Sequence, residues 1–315
     1  MRTPSIPITA AWGVRLAFAA AAISGVAVWL NASALRAVGD PVIYTTMKNL
    51  IAALVLIVAA VAMGHAREVR HLDRGQWARL LVIGLVGGSL PFLLFFTGLS
   101  MATAPTAAFI HKTLFLWVAV LAVPLLGERV GAVQVAALGV LVLGQMLLLN
   151  PFAGDGFGTA EILIAAATLL WAVEVIIAKR VLGDVSPSVV GSARLGFGLI
   201  VLVGYVVIDG RAAALLALPP ESVAWVVLTG IVLAGYVGTW LAALRRAAAT
   251  VVTAVLVVGA LVTALLTAVS DGRVPEGTAL LGLIALGGAG LAMAMSAGRM
   301  APSGDRPAAS ARLHQ

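Results

Sequence analysis

Ten stretches of about twenty apolar residues follow one another along the 315-residue chain, separated by short polar or Gly/Pro-containing breaks. A helix rises 1.5 Å per residue, so about twenty residues cross the ~30 Å hydrocarbon core of a bilayer. The spans read as about 13–35, 41–63, 77–99, 103–126, 131–150, 159–180, 187–208, 222–244, 248–270 and 276–297. Only 10% of residues are charged and mean hydropathy is +1.10, whereas soluble domains carry about 25% charged residues. The expected fold is therefore an all-α polytopic membrane protein, because a helix satisfies its own backbone polar groups where no water can. The formal charge of +7 sits at span ends and forms no basic run, so the partner it implies is the lipid bilayer and not nucleic acid. There is no cysteine, no Walker-type loop and no metal-ligand histidine spacing, so no catalytic residue, metal or cofactor is expected.

The basic residues fix an orientation. Arg2, Arg15, Arg67, Arg70, Arg74, Arg79, Arg129, Lys179, Arg180, Arg245, Arg246, Arg299, Arg306 and Arg312 fall on one side of the ten-span alternation, and only Arg36, Arg211 and Arg273 on the other. The positive-inside rule then places both termini in the cytoplasm and the protein in the cell membrane. Arg2 and Arg15 precede AFAAAAISGVAVWL with its A-x-A patterns, but apolarity continues to Ala34, so this stretch reads as an uncut first span and not a cleaved signal.

A repeat underlies the spans. Arg36-Ala-Val-Gly-Asp-Pro41 resembles Arg180-Val-Leu-Gly-Asp-Val-Ser-Pro187, and seven residues beyond each proline stands a cation, Lys48 or Arg194. PLLGERV resembles AVSDGRV with Gly127 matching Gly272, and the three offsets are 144, 146 and 145. Two halves of five spans each follow. Five is odd, so the second half enters the membrane from the opposite side, an inverted-topology repeat. The expected organisation is a cytoplasmic N-terminus over 1–12, a first five-helix repeat over 13–150, a second over 151–297 and a disordered cytoplasmic tail over 298–315.

This pattern resembles the EamA-type transporters of the drug/metabolite transporter superfamily. The resemblance is carried by Lys48 and Arg194, by Trp171 in LLWAVEVIIAKR, by the turn GLSMATAPTAAFI, and by LLGERV followed by GAVQVAALGVLVLGQMLLL. It covers about residues 14–297 and implies a ten-helix bundle with spans five and ten peripheral, moving small metabolites, often without ATP. The chain departs from the family pattern at Ser-Asp-Gly-Arg, where its first half has Leu-Gly-Glu-Arg, and at His111-Lys112.

Few ionisable residues lie deep in the spans: Lys48, His111, Lys112, Glu174 and Arg194. By helix rise, Lys48 lies ~10 Å from one membrane face, Arg194 ~10 Å from the other, and Lys112 ~14 Å into its span. Glu174 lies at the level of Arg194 on the adjacent antiparallel span, so the two are expected either to pair or to leave Glu174 as a proton-coupling group. Lys48 and Lys112 have no evident acid and either donate to carbonyls and water or face a cavity as an anion site. Tyr44 lies one turn before Lys48, Asn31 near it by repeat alignment, and Trp29, Trp117, Trp171 and Trp240 are candidate cavity walls. Glu128 is expected at the start of span five, where a carboxylate favours a helix N-terminus. The repeat places Val257 opposite Lys112, so this lysine belongs to one half only.

The expected function is a secondary transporter that moves a small polar, anionic or zwitterionic metabolite by alternating access, with substrate at Lys112, Lys48, Tyr44, Arg194, Trp171 and Asn31 and proton coupling through Glu174 or Lys112. Export of hydrophobic or drug-like compounds is the alternative transport reading. A membrane scaffold, or an accessory subunit for lipid-headgroup translocation, is the non-transport one. The simplest assembly is a monomer or weak homodimer.

Overall fold

The computed structural model describes residues 8–150, 158–272 and 274–297. The expected N-terminal segment before residue 8 and the tail over 298–315 lie outside them. Ten membrane-length helical spans run Ala10–Val38, Pro41–Ala62, Arg74–Leu99, Pro105–Leu126, Ala132–Leu149, Thr159–Val181, Pro187–Ile208, Pro220–Arg246, Ala249–Asp271 and Gly277–Met295. Below they are spans one to ten, and the side where span one begins and span ten ends is the terminal side, opposite the far side. Large apolar side chains such as Val58, Ile162, Ile200, Leu265 and Ile284 point outward, as lipid contact requires.

The packing follows the repeat. Span one runs beside eight, and six beside three; one touches nine, and six touches four; two packs on seven, and five on ten. Exchanging each span with the one five places later reproduces this pattern, so the bundle has a pseudo-twofold axis in the membrane plane. Small residues set the crossings. A Cβ on Gly88 would sit 2.1 Å from the Arg194 carbonyl oxygen, and one on Gly25 2.4 Å from that of Gly259. Spans five and ten meet at Gly144 and Gly282 in the same way.

Three spans that read as continuous are broken. Span three divides into Arg74–Gly88 and Leu90–Leu99 at Ser89. Pro91 lacks an N–H and cannot bond the Gly87 carbonyl four residues back. The Ser89 hydroxyl reaches the Gly84 and Leu85 carbonyls at 3.2 and 3.1 Å. Span four divides into Ala104–Lys112 and Leu114–Leu126. There the Thr113 hydroxyl donates to the Ile110 carbonyl at 2.6 Å and the turn tightens. Span nine divides into Ala249–Leu256 and Gly259–Asp271, joined by three-residue turns through Val257 and Val258. Thr113 and Val258 differ by 145 residues, the repeat offset, so the breaks in spans four and nine are equivalent.

Polar latches tie span ends at both faces. On the far side Arg211 pairs with Asp40 and Asp209, and Asp40 also caps span two by accepting from Val42 and Ile43 N–H groups at 2.8 and 3.1 Å. On the terminal side, Glu68 accepts from the Ser186 N–H at 2.7 Å and His65 bonds Ser188 at 2.7 Å.

Candidate functional site

The sequence-selected residues fall into three separate groups. The first is built on the break in span three. The Gly87 carbonyl that Pro91 leaves free accepts from Trp171 Nε1 at 3.1 Å and from Arg194 Nη2 at 3.0 Å. The Arg194 guanidinium also grips Glu174, through Nε to Oε1 and through Nη2 to Oε2 at 3.2 Å. Both side chains are buried, and Trp240 lies 5.7 Å from the guanidinium. Tyr236 stacks on Trp240 at 6.3 Å. Gly87 has to be a glycine here, since a Cβ would lie 2.0 Å from Glu174 Cδ. Both carboxylate oxygens of Glu174 accept from Arg194, and Arg194 also holds the Gly87 carbonyl, so the group joins spans three, six, seven and eight as a paired hub of no net charge. His111 packs edge-on to Trp171 at 4.8 Å and to Phe95 at 5.4 Å.

The second group surrounds Lys48. Its ammonium lies 4.6 Å from the Tyr44 ring centroid, and the Tyr44 hydroxyl donates to Asn31 Oδ1 at 2.5 Å. One face of the same helix buries Thr45 and Asn49, whose side-chain polar atoms have no partner among the described residues. Spans one and two supply this group.

The third holds Lys112, alone among the selected residues. A cavity of about 290 Å³ is lined by span one (Ser24, Val28), span four (Ala108, Lys112), the far-side end of span five (Gln145, Leu149) and the second half of span nine (Gly259, Thr263). It runs from the two helix breaks toward the far side, reaching Leu149 and Pro275, and no residue of span two lines it. Lys48 is not among the residues that line this cavity. Lys112 ends the first half-helix of span four, where the carbonyl-rich C-terminus favours a cation. Gln145 was missed by sequence reasoning because it is uncharged, although an amide in an otherwise apolar span is itself a signal.

The reading of Glu128 requires correction. It does not serve span five, where Gln134 instead accepts from the N–H of the capping residue Gly131 at 2.8 Å. Its carboxylate instead caps span nine, accepting from Ala249 N at 2.6 Å, Thr250 N at 3.1 Å and Thr250 Oγ1 at 2.8 Å. Beside it, Lys179 Nζ donates to the Leu244 and Ala247 carbonyls at 2.6 and 2.8 Å, and Arg180 to the Leu125 carbonyl at 2.6 Å. These contacts clasp spans four, six, eight and nine on the terminal side. The repeat places Arg36 where Arg180 stands, and Arg36 bonds Ser33 at 3.1 Å; at the same offset of 144 Leu35 stands where Lys179 does, so that lysine has no counterpart on the far side. Of the other tryptophans, Trp117 is exposed and Trp29 reaches Ser270 at 3.5 Å.

A model of the EamA-like transporter family matches residues 11–150 and again residues 158–295. The chain belongs to the EamA-like transporter family. Its ten spans, its two repeats and its membrane location in a bilayer are those of a transporter fold, and the family is one of transporters and not of enzymes. A solved crystal structure titled only as that of a protein superposes on this EamA-like transporter with a TM-score of 0.74 at 21% identity, covering 92% of this chain and 99% of the other. That likeness speaks to the fold. No curated protein matches the chain.

Proposed function

We propose that this EamA-like protein is a secondary transporter that carries a small anionic or zwitterionic metabolite by alternating access of its two repeats. One observation carries the reading: Lys112 stands without an acid among the described residues at the break of span four, in a cavity that spans from both repeats share and that leads to the far side. A cation at mid-membrane depth costs about 2.5–3.5 kcal/mol on insertion scales. A ligand anion is the group that would offset it. Interrupted spans at equivalent points of inverted repeats are also where such transporters place substrate. The charge asymmetry supports cytoplasmic termini, hence a far side outside the cell, and the clasp at Glu128, Lys179 and Arg180 suits a form closed to the cytoplasm. Both oxygens of Glu174 are engaged by Arg194, which favours a structural role for that carboxylate over coupling.

The test is flux into proteoliposomes across a metabolite panel. Lys112→Met is expected to abolish flux while the purified protein keeps its elution profile and unfolding transition. Undiminished flux in that variant would remove the cavity from the transport path.

A further inference from the structure

We infer that the Lys112 cavity takes a compact monocarboxylate with an apolar body, which narrows the anionic or zwitterionic class above and rests on that reading of the cavity. Two donors converge on the space. One is the Lys112 ammonium. The other is Gln145 Nε2, which has no hydrogen-bond partner among the described residues although Gln145 is only 2% exposed. A buried amide N–H₂ left unpaired is destabilising, and a carboxylate offers two acceptor oxygens, one for each donor.

The placement of Gln145 is firm. The neighbouring Gly144 meets Gly282 of span ten so closely that a Cβ on Gly144 would lie 3.0 Å from the Gly282 carbonyl oxygen. Adjacent helical residues point about 100° apart, so the crossing that locks Gly144 against span ten turns the next side chain toward the cavity.

The rest of the wall decides against other anions. Among the described residues Lys112 is the one ionisable side chain in the lining, so none of them offers a carboxylate for the ammonium of an amino acid or a second cation for a dicarboxylate. Thr263 is engaged with the Gly25 carbonyl at 2.9 Å. Val28, Ala108, Leu148, Leu149, Ala260 and Ala264 supply apolar surface for the ligand body. The volume of about 290 Å³ sits at the lower edge of small-molecule sites, which suits a short chain or a single ring. A polar group brought into such a wall without a partner is rejected strongly, more so than a change of one methylene.

The experiment compares four probes of like size on the full-length protein in nanodiscs and proteoliposomes: 4-methylpentanoate, leucine, 4-methylpentan-1-ol and methylsuccinate. The monocarboxylate is expected to bind and exchange, and the other three to bind at least about tenfold more weakly. Gln145→Leu is expected to weaken 4-methylpentanoate by about tenfold with the fold intact. Gln145→Glu, which sets an anion in the cavity, is expected to abolish binding, and it carries the test alone should Lys112→Met fail to fold. Leucine or methylsuccinate bound as tightly as 4-methylpentanoate, with Lys112→Met abolishing it, would overturn the monocarboxylate class and leave the cavity reading standing. Binding of every probe unaffected by folded Lys112→Met and Gln145→Glu proteins would overturn both.

Discussion

Gly87→Ala tests the hub in span three most directly, because two effects of the same methyl group have opposite signs. On helix propensity alone, alanine for glycine stabilises a helix by about 0.5–1 kcal/mol. In this bundle the new Cβ would lie 2.0 Å from Glu174 Cδ and 2.4 Å from both carboxylate oxygens. Neither partner can yield, since Glu174 is gripped bidentately by Nε and Nη2 of Arg194 and the Gly87 carbonyl is itself held by Arg194 and Trp171. Overpacking costs about 1–3 kcal/mol, and separating a buried ion pair about 3–5 kcal/mol. The expected net loss is at least about 3 kcal/mol, read from the unfolding midpoint in mixed micelles. Gly196→Ala on span seven is the control, because a Cβ there meets nothing within 4 Å, and it should be neutral or slightly stabilising. Adding Glu174→Asp to Gly87→Ala draws the carboxylate back by about one bond length of 1.5 Å and should recover part of the loss. A Gly87→Ala protein as stable as wild type, or one made worse by the shorter acid, would refute the steric account.

The clasp and the latches give further expectations. Since the chain has no cysteine, a single reporter cysteine in place of Thr253 near the terminal-side end of span nine can be labelled cleanly, and Glu128→Gln should raise its labelling rate severalfold by loosening the cap on Ala249 and Thr250; an unchanged rate would show that the clasp does not hold span nine closed. Asp40→Ala should cost about 1–2 kcal/mol because it uncaps span two. Arg211→Ala should cost under about 1 kcal/mol, since its ion pair is about a third exposed. Equal losses in these two variants would mean that the ion pair, not the cap, is what matters.

Much of this was legible in the chain itself. Hydropathy showed the ten spans, and the offset of about 145 residues showed the repeat, because both depend on periodicity along one dimension. The level of Glu174 against Arg194 followed from helix rise. The direction in which a side chain leaves its helix did not, so the lining of the Lys112 cavity could not be read from the sequence. The break at Ser89 had a visible cause in Pro91, but those at Thr113 and Val257 carry no proline and arise from packing and hydroxyl back-bonding. Glu128 sits beside span five in sequence, and only tertiary structure could hand it to span nine.

The breaks in spans four and nine occupy equivalent points, yet the lysine of the clasp, Lys179, and the cation at Lys112 each exist in one repeat only. Two identical repeats would give inward-open and outward-open forms related by the pseudo-twofold and therefore equal in energy. Each unmatched side chain lifts that degeneracy. The empty carrier then has a preferred resting orientation, and a substrate shifts the balance only by the difference between its affinities for the two forms. Moving Lys112 to position 257 would thus test not only where a ligand binds but which way the unloaded protein waits.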